Sequence, residues 1–388
     1  MTRVHFQGEG TRLIHPGNEL DPATRAVSLP IYQSVIYAQE SVDRPGRWEY
    51  SRTANPTRAA LEETIAVLEE GQYGFAFASG MAAIASVLCL FSSGDHLVVA
   101  RDIYGGTFRL LHRLFPRFGL AVDFVDATDL SAIKKAVKPE TKAIYLETPS
   151  NPLLRITDLA GAVALAREHR LLAIVDNTFM TPYWQKPLTL GADIVVHSAT
   201  KYLAGHSDCL AGLAVVRDKA LAEELAFIQN AWGAVLSPHD AWLVLRGIKT
   251  LKVRLEQQQE TAWALATWLA EQPSVKAVYY PGLPDHPRRE VHFRQARGAG
   301  AVIAFRLGSS EQAEKLVDSV RLPVIGSSLG AVESIISLPA RMSHASLPAG
   351  LRQELGITPD LVRFSVGLED AADLRADLAQ ALAKAARS

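Results

Sequence analysis

The stretch Ala192-Asp193-Ile194-Val195-Val196-His197-Ser198-Ala199-Thr200-Lys201 decides the fold class of this chain. Its apolar run, Ile194 to Val196, predicts a buried strand, and a small polar cluster that ends in Lys201 follows at once. In an open α/β sheet, ligands bind just outside the carboxyl ends of the strands. Partial desolvation at such a place lowers the pKa of a lysine and makes its amine a nucleophile or a base. The alternative interpretation is a surface lysine at the start of a helix.

A second stretch, Leu171-Leu172-Ala173-Ile174-Val175-Asp176-Asn177-Thr178, predicts another apolar strand, which ends in the carboxylate of Asp176. A lysine and an aspartate at the ends of neighbouring strands suit pyridoxal phosphate (PLP). The aldehyde of this cofactor reacts with an amine, and an anion keeps its pyridine nitrogen protonated. Alone, Asp176 is also typical of a helix cap or a turn. The two residues together indicate a PLP site.

The motifs around these two residues, Val175-Asp176-Asn177-Thr178 and Ser198-Ala199-Thr200-Lys201-Tyr202, resemble those of the Cys/Met-metabolism family of PLP enzymes. That family contains cystathionine γ-lyases, cystathionine γ-synthases, cystathionine β-lyases and methionine γ-lyases. The likeness runs from Tyr50 to the closing Arg363-Phe364-Ser365-Val366-Gly367-Leu368-Glu369-Asp370. It implies an α/β fold of the PLP-dependent aminotransferase-like type (fold type I), with a mostly parallel central sheet and a smaller α/β C-terminal domain. The alternation of predicted strands and helices along the chain agrees with this fold.

The composition fits a globular chain of 388 residues with a formal net charge of −1. No dense Lys/Arg block is present, which disfavours a nucleic-acid partner. The two cysteines, Cys89 and Cys209, exclude a disulfide framework and fit a reducing cytoplasm. The start, Met1 to Gly10, lacks the apolar core of a signal peptide, and the uncharged stretch Tyr73 to Gly94 is broken by glycines and serines. We therefore expect no membrane segment.

We expect three parts in the chain. Residues 1–50 contain several Pro and Gly turns and little periodicity, so they predict an arm without a core of its own. In the resembling family such an arm lies on a neighbouring subunit, which implies a homo-oligomer, a tetramer built from dimers that share active sites. Residues 51–245 would form the PLP-binding large domain, and residues 246–388 the small domain. A long helical pattern that follows Asp240, with apolar positions from Leu243 to Trp263, crosses the second boundary.

Three further residues suit a cofactor by their chemistry. Gly80 follows the predicted strand Gly74 to Ala78 and opens a helix, whose first N–H groups favour an anion. Tyr104 offers a flat ring to stack on a pyridine and a phenol to move protons, although a buried tyrosine at a turn has the same pattern. Arg52 presents a planar fork of donors suited to phosphate, and its alternative is a solvated loop arginine.

The resemblance implies a role for each member of a wider set of residues. Lys201 would hold the cofactor, Asp176 would keep its pyridine nitrogen protonated, and Tyr104 would lie over its ring. Arg363 would bind the substrate α-carboxylate with both nitrogens of its fork. The implied cofactor-binding residues are Lys201, Asp176, Tyr104, Gly80, Met81, Ser198, Thr200, Tyr50, Arg52, Asn151 and Thr178. The implied substrate-binding residues are Arg363, Ser328, Asn151, Ser327, Glu49 and Arg109.

By this resemblance we expect a PLP-dependent carbon–sulfur lyase that performs γ-elimination on cystathionine or a related γ-substituted amino acid. The products would be a 2-oxo acid, ammonia and a thiol. Lys201 would remove the Cα proton and move a second proton from Cβ, and Tyr104 would assist departure of the sulfur group. Two alternatives stay open: γ-replacement, as in cystathionine γ-synthases and O-acylhomoserine sulfhydrylases, and methionine γ-lyase activity. Cystathionine γ-lyases and γ-synthases usually carry a glutamate where this chain has Ser327. We therefore expect a lyase with a broader range of substrates, modest on cystathionine and tolerant of smaller γ-substituted amino acids.

Other classes of function fit the sequence less well. Gly326-Ser327-Ser328-Leu329-Gly330 matches the G-x-S-x-G pattern of serine hydrolases, which need an acid and then a histidine later in the chain. Only Glu333 stands between Ser328 and His344, the sole downstream histidine, so a hydrolase is a remote alternative. A set of possible metal ligands, spaced as in no standard zinc motif, consists of His197, His206, Asp208 and Cys209. We therefore predict no metal site.

Overall fold

The computed structural model describes residues 8–16, 20–21 and 23–387, so most of Met1 to Gly10 and parts of the predicted arm lie outside the described residues. Within them the chain is α/β, with a mostly parallel seven-stranded sheet and a second sheet of five strands. The strands are β1 (Tyr73–Phe77), β2 (His96–Ala100), β3 (Ala121–Val125), β4 (Thr141–Glu147), β5 (Leu172–Asp176), β6 (Ile194–Ser198), β7 (Gly212–Val216), β8 (Ala277–Tyr279), β9 (Val302–Arg306), β10 (Val324–Ile325), β11 (Ile335–Ser337) and β12 (Leu361–Ser365).

Helices connect most of these strands. None of those in the described ranges is long and apolar enough to cross a membrane. The α-helices are α1 (Glu9–Ile14), α2 (Pro56–Leu68), α3 (Gly80–Leu88), α4 (Gly105–Arg109), α5 (Leu130–Ala136), α6 (Leu159–Glu168), α7 (Thr181–Trp184), α8 (Lys219–Trp232), α9 (Pro238–Ile248), α10 (Leu251–Ala270), α11 (Arg289–Gln295), α12 (Ser310–Val317), α13 (Ala349–Leu355) and α14 (Ala371–Ala385).

The chain divides into two compact units. The first unit contains the described residues up to Ser92 together with Ile174–Lys252, and the second contains Ser93–Ala173 together with the described residues from Val253 onward. The division into an arm, a large domain and a small domain at residues 50 and 245 stays a prediction.

In the first unit the strands are ordered β1-β7-β6-β5. β5 and β6 are parallel, with Asp176 opposite Val196, whereas β6 pairs with β7, and β7 with β1, in antiparallel fashion. All five residues of β7 are buried. Apolar and β-branched side chains fit such a doubly covered strand. The carboxyl ends of β5 and β6 therefore lie at the same edge of the sheet, as the two apolar runs predict.

Helix α3 begins close to the end of β6. Ser79 caps the helix, because its hydroxyl accepts a hydrogen bond from the N–H of Ala82 at 3.1 Å. A Cβ atom on Gly212, in β7, would overlap the carbonyl oxygen of Ser79, and one on Gly80 would lie 2.8 Å from the Cβ of Ser198. Only glycine at these two positions allows the backbone of the helix start to approach the strands.

The predicted arm is anchored on its own unit in the described residues. α1 buries Leu13 and carries Glu9 and Arg12 into an ion network with Glu70 and Lys186, which we call the α1 ion network. Further along the arm, the Trp242 indole N–H donates to the Leu29 carbonyl at 3.1 Å. Most of the residues from here to Tyr50 are exposed, among them Val35, Ile36 and Val42.

The second unit contains three parallel strands in the order β4-β2-β3 and the whole five-stranded sheet, ordered β10-β11-β12-β9-β8. Three of the four pairings in the five-stranded sheet are antiparallel. Its middle strand, β12, is buried along its full length, and Arg363 is the charged residue in it. An arginine at such a place requires hydrogen-bond partners for its guanidinium.

The helical pattern with apolar positions from Leu243 to Trp263 belongs to two helices, α9 and α10, rather than to one. Between them, the backbone N–H and the hydroxyl of Thr250 both donate to the Gly247 carbonyl, each at 3.2 Å. This tight turn satisfies a carbonyl of the last turn of α9 and ends that helix. The apolar spacing does not show the break because it continues through the turn.

Candidate active site

The residues after β5 and β6 form one set of candidate site residues, all in the first unit, which we call the lysine cluster. Asp176 is buried at the end of β5, and Lys201 is half-buried in the turn that follows β6. The Lys201 N–H donates to the Ser198 carbonyl at 3.2 Å, and its own carbonyl accepts from Gly205. The cluster consists of Gly80, Met81, Asp176, Thr178, Ser198, Thr200 and Lys201.

Thr178 joins the two strand ends. Its backbone N–H and its hydroxyl both donate to Asp176 Oδ1, at 3.0 and 2.6 Å. The same hydroxyl oxygen accepts a hydrogen bond from the Ser198 N–H at 2.8 Å. Thr178 therefore fixes the orientation of the Asp176 carboxylate relative to β6. Its role in the predicted set rested on resemblance alone, and this geometry gives it a physical basis.

The start of α3 fits an anionic phosphate. The first N–H groups of a helix have no partner within it, and the helix dipole adds positive potential there. Gly80 places this helix end against Ser198, where any larger residue would fill the space. Thr200 lies two residues after Ser198. Its N–H donates to the Ala211 carbonyl, and its hydroxyl accepts from the Ala211 N–H. These donors, with an amine at Lys201 and a carboxylate at Asp176, match the groups that PLP requires.

The other side chains at these strand ends meet a residue that the sequence did not single out. His197 and Asn177 both bind Glu69, which ends α2 and is fully buried. Nothing in the local pattern marks Glu69, because it lies 108 residues before Asn177 in the chain. As for the other possible metal ligands, the His206 ring is bonded to the Ala204 carbonyl, and no group of three or more His, Cys, Asp or Glu in the described part of the chain is arranged to hold a metal ion.

The loop before α2 carries Glu49, Tyr50 and Arg52, all of them exposed. Arg52 Nη1 donates to the carbonyl oxygen of Asn230 at 2.7 Å and to its side-chain oxygen at 2.8 Å. The guanidinium carbon lies 5.5 Å from the centre of the Tyr50 ring, within the range of a cation–π contact. The loop is thus held in a defined conformation that presents Tyr50 and Arg52 at the surface.

The second unit contains a set of residues that we call the arginine cluster. It consists of four candidate substrate-binding residues, Asn151, Ser327, Ser328 and Arg363, together with His344. Arg363 is 1 % exposed. Its Nη1 donates to Asn151 Oδ1 at 3.1 Å, and its Nη2 donates to the carbonyl oxygens of Ser328 at 2.7 Å and Ser327 at 3.1 Å. The structure therefore brings together the residues that resemblance assigns to carboxylate binding, and a fixed planar fork suits that task.

His344 supports this cluster. Its Nε2 donates to the Asn151 carbonyl at 3.1 Å, and its Nδ1 accepts from the Ser343 hydroxyl at 2.9 Å. Burial lowers its pKa to about 4, and the charge of Arg363 acts in the same direction, so His344 is neutral at pH 7. Both ring nitrogens are engaged away from Ser328, which does not support the serine hydrolase alternative.

Tyr104 directly precedes α4 at its N-cap position, and the residue is 38 % exposed. Its N–H donates to Glu147 Oε2 at 2.7 Å, and Glu147 is buried at the end of β4. Arg109, at the other end of α4, is exposed and donates to the Ser346 hydroxyl at 3.3 Å. Glu147 was missed, although an acidic residue that ends an apolar strand, like Asp176, is a signal that could have found it.

Comparison with known proteins shows similarity along nearly the whole chain. A family model described as "Cys/Met metabolism PLP-dependent enzyme" matches residues 10–383. A cystathionine beta-lyase, MetC, from Bacillus subtilis is 55 % identical over 372 residues, which are 96 % of this chain and 95 % of that protein. A cystathionine gamma-lyase from the same organism is 52 % identical over 372 residues, 96 % of this chain and 98 % of that protein.

Solved structures agree in fold. The crystal structure of a cystathionine gamma-lyase from Lactobacillus plantarum, complexed with L-serine, superposes with a TM-score of 0.96 at 47 % identity. The match covers 98 % of this chain and 99 % of that one. The metB structure from Corynebacterium glutamicum gives a TM-score of 0.94 at 43 % identity, with 97 % and 98 % covered.

Proposed function

The chain belongs to the Cys/Met metabolism family of PLP-dependent enzymes, and from this premise we propose that it is a lyase that cleaves a carbon–sulfur bond of cystathionine. The family and the α/β fold expected from the motifs are thereby confirmed. The observation that carries the proposal is the pairing, at one sheet edge, of the buried Asp176 carboxylate with the turn that holds Lys201.

Each residue of the lysine cluster has a distinct task in this proposal. When bound, PLP supplies an electron-withdrawing ring that stabilises negative charge at the substrate Cα. Lys201 would hold the cofactor and move protons at Cα and Cβ with its amine. Asp176 would keep the pyridine nitrogen protonated, while the start of α3 with Ser198 and Thr200 would bind the phosphate.

The arginine cluster would bind the amino-acid substrate. Arg363, with Asn151 and Ser328 beside it, would accept the α-carboxylate in a bidentate ion pair. The Tyr104 phenol would donate a proton to the departing sulfur. Its exposed ring and its hydrogen-bonded backbone support this role, because a proton donor must reach the substrate and yet be positioned. We assign Ser327, Arg109 and Glu49 to the distal part of the substrate.

The proposed reaction is γ-elimination, which converts cystathionine and water to cysteine, 2-oxobutanoate and ammonia. A second candidate is β-elimination, because a cystathionine beta-lyase is 55 % identical to this chain. That reaction would give homocysteine, pyruvate and ammonia. Mass spectrometry of the products from cystathionine decides between the two, and failure to cleave either bond would contradict the proposal. Methionine and an O-acylhomoserine with a thiol test for methionine γ-lyase and γ-replacement activity in the same assay.

We also propose a homo-oligomer, a tetramer built from dimers, in which Tyr50 and Arg52 reach the cofactor phosphate of a neighbouring subunit. The exposed position of this loop, held by Asn230, supports the assignment. Exposed apolar side chains on the arm, such as Ile36 and Val42, favour contact with another subunit. The cysteines, Cys89 and Cys209, are both unpaired thiols, which is consistent with a cytoplasmic location.

A further inference from the structure

A polar network is buried behind the ends of β5 and β6 in the first unit. It joins Glu69, Asn177, Gln185 and His197, each of which is at most 1 % exposed. A single oxygen, Glu69 Oε1, accepts hydrogen bonds from His197 Nε2 at 2.6 Å and from Asn177 Nδ2 at 2.9 Å. Gln185 completes the network, because its Nε2 donates to Asn177 Oδ1 at 3.1 Å and its carbonyl accepts from Asn177 at 2.8 Å.

This network lies directly next to residues of the lysine cluster in the chain. Asn177 follows Asp176, and His197 precedes Ser198. Because side chains alternate along extended backbone, neighbours point to opposite faces. On one face the Thr178 hydroxyl links Asp176 to Ser198. On the other face Glu69 links the two residues next to them, so the ends of both strands are held from two sides.

The chemistry of the network favours a positioning role over a purely stabilising one. Glu69 Oε2 and His197 Nδ1 are buried and have no hydrogen-bond partner among the residues that the structure describes. A buried polar group that leaves some of its hydrogen-bonding atoms unpaired usually stabilises a fold no more than apolar side chains of the same volume would. What a shared acceptor does provide is a fixed distance between the two groups that it binds.

We propose that Glu69 is a positioning residue: by accepting hydrogen bonds from both Asn177 and His197, it fixes the ends of β5 and β6 and with them Asp176 and the turn that carries Lys201. The residue itself does not touch the reacting groups. The inference rests on the proposed roles of Asp176 and Lys201. It predicts that the Lys201 amine and the Asp176 carboxylate lose their fixed relative position when Glu69 is replaced by a weaker acceptor, although the fold persists.

The substitution Glu69→Gln tests this role, because it keeps the volume and replaces the carboxyl group by an amide, whose oxygen is a weaker acceptor for the two hydrogen bonds. We expect PLP to bind the apoenzyme about tenfold more weakly, which corresponds to about 1.4 kcal/mol. We also expect the pH at which the visible absorption of the bound cofactor changes to differ from that of the wild type, because Lys201 and Asp176 determine the protonation of the cofactor. The readouts are PLP titration of the apoenzyme by fluorescence, absorbance between pH 6 and pH 9, and kcat with KM for cystathionine.

Glu62→Gln is the matched control. Glu62 lies on α2, the helix that Glu69 follows, but its Oε1 accepts from the Ala76 N–H at 2.9 Å and from Gln229 at 3.2 Å, not from β5 or β6. This variant should lose thermal stability without a change in PLP affinity or in the absorption spectrum. If Glu69→Gln behaves like Glu62→Gln, with PLP affinity, spectrum and kcat of the wild type, Glu69 is only structural and the proposal is wrong.

A second variant keeps the test open if Glu69→Gln does not fold. His197→Leu removes the link to Glu69 from the β6 side, because leucine has no hydrogen-bond donor in its side chain. We expect the same loss of PLP affinity, and wild-type affinity would overturn the proposal. The wild-type enzyme separates this inference from the proposed function. A wild type that neither binds PLP nor cleaves cystathionine contradicts the function, whereas an active wild type with an unchanged Glu69→Gln contradicts only the positioning role.

Discussion

Ser327 lies exposed on the loop before Ser328, and its backbone carbonyl, not its side chain, binds Arg363. A carboxylate there would offer the distal ammonium of cystathionine a charge-assisted hydrogen bond of roughly 1.5–3 kcal/mol. We therefore expect Ser327→Glu to raise kcat/KM for cystathionine roughly ten- to a hundredfold, at about 1.4 kcal/mol per decade. Methionine, which has no distal ammonium, is the control substrate, and equal gains on both would place Ser327 away from the distal end.

Two buried histidines, His344 and His292, make the stability of the fold depend on pH. Burial lowers the pKa of His344 to about 4 and that of His292 to about 4, against an ordinary value near 6.5. The unfolded chain therefore binds more protons than the folded one between these values, so stability falls as the pH drops from about 6.5 to about 4. Each histidine contributes about 3 kcal/mol to this fall.

We expect His344→Gln to remove the part of the acid-induced loss of stability that His344 causes. The measurement is the free energy of urea unfolding at several pH values between about 4 and about 6.5. His292→Gln is the control, because His292 binds the Gly298 carbonyl and not the arginine cluster. It should flatten the pH dependence equally and leave KM for cystathionine unchanged, whereas His344→Gln should raise KM through Asn151. An unchanged slope in both variants would show that neither histidine is held neutral by burial.

Among the elements, helix α1 is held in part by ion pairs. The hydrogen bond from Arg12, followed by that from Lys186, lowers the pKa of Glu70 to about 2, so Glu70 keeps its charge at mildly acidic pH. Glu70→Gln removes two partly exposed ion pairs, together about 1 kcal/mol, and should speed tryptic cleavage after Arg12 about fivefold. High salt should bring the wild type close to the variant. Glu168→Gln, in an exposed pair with Lys134, should not change this cleavage rate.

Much of the element structure could be predicted, because it depends on local patterns. The apolar runs before Asp176 and His197 predict β5 and β6, and the glycine after the predicted strand near Phe77 marks the start of α3. Pairing over long distances leaves no such pattern. That β7 is antiparallel to both of its neighbours, and that Glu69 binds His197 128 residues away, follows from how the chain returns to the same sheet edge.

For the whole molecule, the proposed sharing of sites between subunits has a quantitative consequence. Subunits with Arg52→Ala, mixed in equal amounts with Lys201→Ala subunits, should recover about a quarter of wild-type activity in a two-fold dimer, because half of the dimers contain one intact site. Both parents should be inactive or nearly so. The control is a mixture of Arg52→Ala subunits with subunits that carry both Arg52→Ala and Lys201→Ala. No site in this mixture has both residues intact, so the mixture should stay inactive. Hybrids that remain dead while both parents are folded would contradict shared sites.

The two faces of the β5 end limit how this protein can change in length. Asp176 belongs to the lysine cluster, whereas Asn177 belongs to the buried network with Glu69. The number of residues between the buried part of β5 and each of these two residues must therefore stay the same. Inserting one residue before Asp176 would exchange the two faces and bring its carboxylate toward that of Glu69. A scan of single insertions and deletions should therefore find no active variant within β5 or β6, while exposed loops tolerate them. Active variants inside these strands would show that the alternation is not required.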